Sequence, residues 1–223
     1  MQIEPPVFHT KKEGVYRALR DAIIRCQLAP QTRLVAEEVA RQMGVSTIPV
    51  REALQQLQAE GLVRIVPHVG AMVAPVPVQA VDEVLTLLER IESALAPRAC
   101  ANRSPEDLQA LSALLEDMEA AERAGDGEGW AWANSAFHRR LAAAARMPLG
   151  EELANRLYDA WDRLRCYILG RRDLAERMQL ALVEHQAILD SLGAGDSRRL
   201  QRLLRVHRRS ALRAFHRASR TAR

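Results

Sequence analysis

Cysteine, aromatic residues and lysine are all scarce in this chain of 223 residues, and each scarcity excludes something. The three cysteines, Cys26, Cys100 and Cys166, are odd in number and far apart. They form neither a disulfide framework nor a metal-ligand spacing, and they fit a reduced, cytoplasmic setting. Trp, Tyr and Phe occur three times each, so a core has to be built from Leu, Ala, Val and Ile. Two lysines stand against thirty arginines, a bias that reads as GC-rich coding more than as function. No apolar run approaches the roughly 20 residues of a membrane helix. The opening MQIEPPVFHTKKEG also lacks the apolar centre of a signal peptide. Nucleophile and metalloprotease signatures are missing too: there is no Gly-x-Ser-x-Gly, Glu-x-x-His or His-Glu-x-x-His.

What is present points to a mostly helical protein. Apolar residues make up 48% of the chain, and long Ala/Leu-rich charged stretches contain few strand formers. The net charge of +4 hides an asymmetry. Residues 1–75 carry nine Lys/Arg against seven acids, residues 76–197 thirteen against twenty-one, and residues 198–223 ten Arg and no acid. That basic end has two readings: contact with nucleic-acid phosphates, or pairing with acidic helix faces such as Glu116, Asp117, Glu119 and Glu122.

Residues 1–13 are polar and proline-broken, which predicts a mobile arm. A first helix is expected over about Gly14 to Gln27, broken by Pro30. From Leu34 the pattern tightens. A short amphipathic stretch ends at Gly44, and a second helix begins almost at once behind Ser46. So short a connection forces two helices to cross steeply, the helix-turn-helix arrangement. Val50, Ala53, Leu54 and Leu57 form the buried stripe of the second helix, leaving Thr47, Arg51, Gln55 and Gln58 free to face outward. Pro49 is tolerated in the first turn, where backbone N–H groups lack partners. Two short apolar runs, Gly61–Val66 and Ala71–Pro75, flank Pro67-His68-Val69-Gly70 and read as a hairpin, the wing of a winged helix. Ala74-Pro75-Val76-Pro77 reads as a stiff linker.

The stretch VSTIPVREALQQLQAEGLV resembles the recognition helix and wing of the GntR family of bacterial transcription regulators. The resemblance extends over about residues 13 to 220, where the remainder is similar to the helical FCD effector domain of the FadR-type branch. It implies a DNA-binding surface of Ser46, Thr47, Arg51, Gln55, His68 and Gly70. Relatives commonly read SRTPVREAL; here Thr47 stands where they have Arg, and Ile48 where they have Thr, so the operator should differ. Arg51 keeps the position from which a guanine edge or phosphate is reached, although a surface salt bridge is its other reading. Gly70 matches the family glycine and could equally serve only the turn.

Beyond residue 76, punctuation at Ser104-Pro105, Gly125-Asp126-Gly127, Met147-Pro148, Gly170 and Gly193–Asp196 predicts an antiparallel six-helix bundle. The helices are expected at about 78–101, 105–124, 127–146, 149–169, 173–193 and 196–220, a number that is similar to the VanR-like subgroup. His138, His185 and His207 each fall on an apolar stripe, where an unpaired imidazole costs roughly 1–3 kcal/mol. Three from separate helices can share one metal ion, and Asn134 lies one turn before His138. Hydrogen-bonded core histidines are the alternative. The resemblance favours a metal, since relatives carry an Asp and a His one turn apart and a His in each of the last two helices; Asn134 replaces that Asp. Imidazoles favour Zn²⁺, Ni²⁺ or Mn²⁺.

An effector of organic-acid type is implied by the resemblance alone. The arginine that relatives place four residues before Glu92 is here Leu88, and Arg90 points elsewhere. The whole is read as a mainly α protein, with a winged helix-turn-helix over residues 1–75 and a helical effector and dimerisation domain over 76–223. Its expected role is that of a homodimeric, ligand-responsive regulator of double-stranded DNA, a repressor by family habit. A bundle serving only for dimerisation or docking, or a helical-bundle metalloenzyme, are the rival readings.

Overall fold

A computed structural model describes residues 10–66, 69–76, 78–168 and 171–221, with side chains for all of these except 78, 167–168, 171–177 and 218–221. The chain divides into two compact units, Met1–Val76 and Pro77–Arg223.

In the first unit, helix α1 (Lys11–Ile24) starts three residues ahead of the expected Gly14. Thr10 Oγ1 accepts from the Glu13 N–H at 3.2 Å, which satisfies one of the orphan donors of the first turn. The end also comes early, at Ile24, because Cys26 adopts φ +55. After a two-residue strand β1 (Arg33–Leu34), α2 (Ala36–Met43) closes on Gly44 at φ +64, the left-handed turn that glycine makes without strain. Helix α3 (Thr47–Ala59) follows, with Pro49 in its first turn as the pattern required. Ser46 holds the extended N-cap backbone, yet its hydroxyl accepts no bond from the helix.

Strands β2 (Val63–Val66) and β3 (Gly70–Val73) pair antiparallel in the register Val63↔Val73 to Val66↔Gly70. Strand β1 adds to the far edge of β3 through Arg33↔Met72 and Leu34↔Ala71, a third strand too short to show in the sequence. One apolar cluster joins Val15, Ile23, Val50, Ala53, Leu57, Val63 and Val73 beneath this sheet.

The second unit opens with a 3₁₀ turn over Val78–Ala80 and runs through six helices. They are α4 (Val81–Asn102), α5 (Pro105–Ala124), α6 (Gly127–Ala143), α7 (Pro148–Ile168), α8 (Arg171–Ala194) and α9 (Ser197–Thr221). Helix α6 stops short of the expected residue 146, because Arg146 takes φ +54 just before Pro148. Helices α4, α7 and α9 pack together on one side and α5, α6 and α8 on the other, with α8 on α9 and α6 on α7 joining them. Leu88, Leu111, Met118, Phe137, Leu164, Ile188 and Leu192 fill the interior.

Candidate functional site

The buried stripe of α3 fixes what its opposite face can present. Val50, Ala53, Leu54 and Leu57 are sealed in the core, so Ser46, Arg51, Gln55 and Gln58 are exposed and Thr47 is half-buried. Arg51 lies 67% exposed with its Nη2 3.2 Å from Glu37 Oε1 of α2, itself 63% exposed. Both readings of Arg51 are therefore compatible: it forms a surface ion pair, and such a pair yields at little cost. Gly70 adopts φ +101 at the start of β3, a conformation that a side chain would strain. His68 lies outside the described residues. Ile48, expected only as a departure from relatives and not as a contact, is 68% exposed in the first turn of α3. The signal was there, since an isoleucine at an outward helical position has no core to serve.

Inside the bundle, α6, α8 and α9 bring His138, His185 and His207 together with exposures of 1%, 0% and 3%. Their Nε2 atoms converge: His138 Nε2 is 3.2 Å from His207 Nε2 and 3.2 Å from His185 Nε2. The other ring nitrogens turn outward to acceptors. His185 Nδ1 donates to the Ala181 carbonyl at 2.6 Å, and His207 Nδ1 to Glu184 Oε2 at 2.6 Å. His138 Nδ1 sits 3.1 Å from Glu92 Oε1, off the line of a good hydrogen bond. Acceptors at Nδ1 hold the protons there and leave the Nε2 lone pairs of His185 and His207 pointing inward. His138 has at most one Nε2 proton to offer two facing acceptors. Burial, with Arg208 nearby and Glu92 opposing, lowers the His138 pKa to about 4, so its ring is neutral in the neutral range. Asn134 is also buried, one turn earlier on α6.

A charged shell backs the histidines, and most of it was not anticipated. Arg208 is buried and grips Glu92 with two donors, Nε at 2.7 Å from Oε2 and Nη2 on Oε1. Tyr158 donates to Glu92 Oε1 at 2.9 Å and lies under the Arg208 guanidinium at 5.7 Å. Burial alone would raise the Glu92 carboxyl; the Arg208 charge overcomes it and holds the group well below the carboxylate range. A cavity of about 10 Å³, the size of one water, opens beside Glu92 and Tyr158. One turn beyond Tyr158 on α7, Asp162 accepts from Ser135, Arg139 and Arg165. Leu88 is fully buried, and Arg90 is exposed as its register predicts. A clue to this shell existed, because Arg208 follows His207 on the inward face of α9, where an arginine needs a partner.

A winged helix-turn-helix carried with an all-helical bundle defines the class of DNA-binding transcription regulators. Residues 11–73 match the family described as bacterial regulatory proteins, gntR family, and residues 83–210 match the FCD domain. The chain belongs to the GntR family and carries an FCD domain. It is 35% identical over 135 residues to an HTH-type transcriptional regulator of Agrobacterium vitis from the TAR-I ttuE-ttuC′ intergenic region, covering 59% of this chain and 79% of that protein. To the HTH-type transcriptional repressor GlaR of Escherichia coli it is 29% identical, over 86% of this chain and 90% of that one. The solved structure of E. coli McbR/YncC superposes with a TM-score of 0.81 at 23% identity, over 94% and 99% of the two chains, a likeness of fold. The metalloenzyme alternative falls with these relatives, which are regulators. Among the described residues no helix is long and apolar enough to cross a membrane.

Proposed function

We propose that the protein is a homodimeric repressor whose bundle senses a small carboxylate metabolite at a divalent transition metal held by His138, His185 and His207. The observation that carries this reading is the convergence of three Nε2 atoms whose rings have too few protons to satisfy one another. A borderline cation such as Zn²⁺, Ni²⁺ or Mn²⁺ answers that convergence better than an all-oxygen-seeking Ca²⁺ or Mg²⁺. Asn134 would contribute a neutral amide oxygen as a weak fourth ligand. Glu184 and the Ala181 carbonyl would orient two of the imidazoles from behind. Bound there, the ion would supply open coordination positions for an oxygen of the effector.

On the DNA side, Ser46, Thr47, Arg51 and Gln55, together with His68 and Gly70 of the wing, are the proposed contacts. Dimerisation follows from the few bases one winged helix can reach, since a two-fold protein matches a pseudo-palindromic operator. Repression is supported by the relatives named repressors, GlaR among them.

Metal analysis of purified protein tests the central point, together with thermal melting in Zn²⁺, Ni²⁺ and Mn²⁺. Bound metal or a raised melting temperature is expected, abolished by His185→Ala and strengthened by Asn134→Asp. Protein that comes out empty, with a melting temperature unmoved by all three ions, would make the centre a hydrogen-bonded core. The bundle would then be the dimerisation and docking module of the rival reading.

A further inference from the structure

Helix α9 has an outer face that neither the histidine centre nor the DNA-reading helix uses. Leu200, Leu204, His207, Arg208 and Phe215 turn inward. Arg198, Arg199, Arg202, Arg209, Arg213 and Arg217 are exposed. At 100° per residue these six fall within an arc of about 100°, forming a stripe about 28 Å long. Only Arg209 of the six meets a carboxylate among the described residues, Glu89 of α4 at 3.2 Å. Among the described residues, three further acids of α4 and α8 are taken by other side chains of α9: Glu92 by Arg208, Glu184 by His207 and Asp82 by His216.

Pairing with the acidic face of α5, the reading that would make the stripe purely structural, is absent among the described residues. Glu116, Asp117 and Glu119 are exposed on a helix that packs chiefly against α6 and α8. Glu122 accepts instead from Gln179. Moreover, Arg198 and Arg199 lie in the first turn of α9, which has no acid. Cations there oppose the helix dipole, and the carboxylate beside them, the capping Asp196, is held by the Arg199 backbone N–H at 2.9 Å. Five unpaired guanidinium groups in one line are instead suited to an anion outside the protein.

We propose that the outer face of α9 is a second, sequence-independent DNA-binding surface that contacts phosphates beside the operator. DNA fits for three reasons. Guanidinium forks match phosphate oxygens with two donors each. A duplex carries one phosphate charge per about 1.7 Å of its axis, so a stripe of this length meets several phosphates in whichever direction it crosses the duplex. The bundle is also tethered to a DNA-binding unit, which raises the local concentration of duplex around it. The other anionic partner of similar shape is the α5 face of a second copy, and the test separates the two.

An operator duplex selected from a random pool is prepared in two lengths, one trimmed to the footprint of the winged helix and one with about 15 further base pairs on each side. Binding of the full chain is measured across salt concentrations, with wild type and the combined variant Arg198→Gln, Arg202→Gln, Arg213→Gln and Arg217→Gln. On the long duplex the slope of log affinity against log salt should become shallower by about 0.9 for each arginine that leaves a phosphate, up to about 3.6 per protomer and about 7.2 for a homodimer. The short duplex should be bound as before, and Lys at the same four positions should keep the wild-type slope. An unchanged slope on the long duplex overturns the proposal, and so does an equal change on both lengths. Sedimentation of the Gln variant at low salt decides the remaining case: lost self-association with both DNA slopes intact would assign the stripe to a second copy, against the proposal.

Discussion

Removing the Arg208 guanidinium would leave the Glu92 carboxylate buried with only the Tyr158 hydroxyl and a poorly aligned imidazole beside it. Such an orphaned charge is far more damaging than the pair is beneficial. Arg208→Met should therefore destabilise the bundle by about 3–5 kcal/mol, and adding Glu92→Gln should return most of that loss. Urea unfolding of the two single variants and the double variant checks it, and two additive losses would count against the coupling. On the DNA side, Arg51→Ala should weaken operator binding by about 1–3 kcal/mol in a gel-shift titration at fixed salt, with an unaltered circular dichroism spectrum. Ile48 adds a finer test at the same helix. If its exposed side chain covers a thymine methyl, replacing thymine by uracil in the selected duplex should cost wild type about four-fold and the Ile48→Ala variant nothing. At this scale the histidines were legible because each interrupts an apolar stripe. Glu92, Tyr158 and Arg208 were not assembled in advance, because their meeting depends on how α4, α7 and α9 pack.

Helix ends follow local chemistry, and their legibility depends on which cap or breaker dominates. Gly44 and Gly125 close α2 and α5 in the left-handed conformation at the expected places. Helix α1 starts at Lys11, ahead of the expected Gly14, because Thr10-x-x-Glu13 carries the capping pattern and outweighs the proline-broken residues before it. Helix α5 shows how much a cap can gather. Asp107 closes a capping box with Ser104 and, fully buried, also takes Arg140 and Arg146 at 2.8 Å each. Both arginines remain partly exposed, so deleting the acid leaves no buried cation. Asp107→Ala should cost about 2 kcal/mol, the cap and its charge-assisted bonds together, measured by thermal melting. A change under about 0.5 kcal/mol would mean the box is dispensable.

For the molecule as a whole, the depressed His138 pKa sets a pH dependence. The unfolded ring protonates near 6.5 and the folded one near 4, so between those values the unfolded state holds more protons. No penalty is present above pH 6.5. It builds as pH falls through the window and reaches roughly 3 kcal/mol at its lower end. Metal-free protein should lose urea resistance between pH 6.5 and 4, and a His138→Asn variant should lack that part of the slope. The two-unit layout was legible from the Pro-rich stretch at residues 74–77 and from helical periodicity beyond it. The fate of the basic C-terminal helix was not, since charge counts do not say which faces meet. The histidine centre has one more consequence at this scale. His138, His185 and His207 lie 47 and 22 residues apart along the chain. An ion shared by all three would act as a reversible cross-link closing two consecutive loops that meet at His185, and α7 lies inside the larger one. Chain-entropy arguments credit such closures with about 3 to 4 kcal/mol each, drawn from the unfolded ensemble. Amide hydrogen exchange should therefore slow from α6 to α9 when metal is added, while the exchange of α1 to α3 stays where it was.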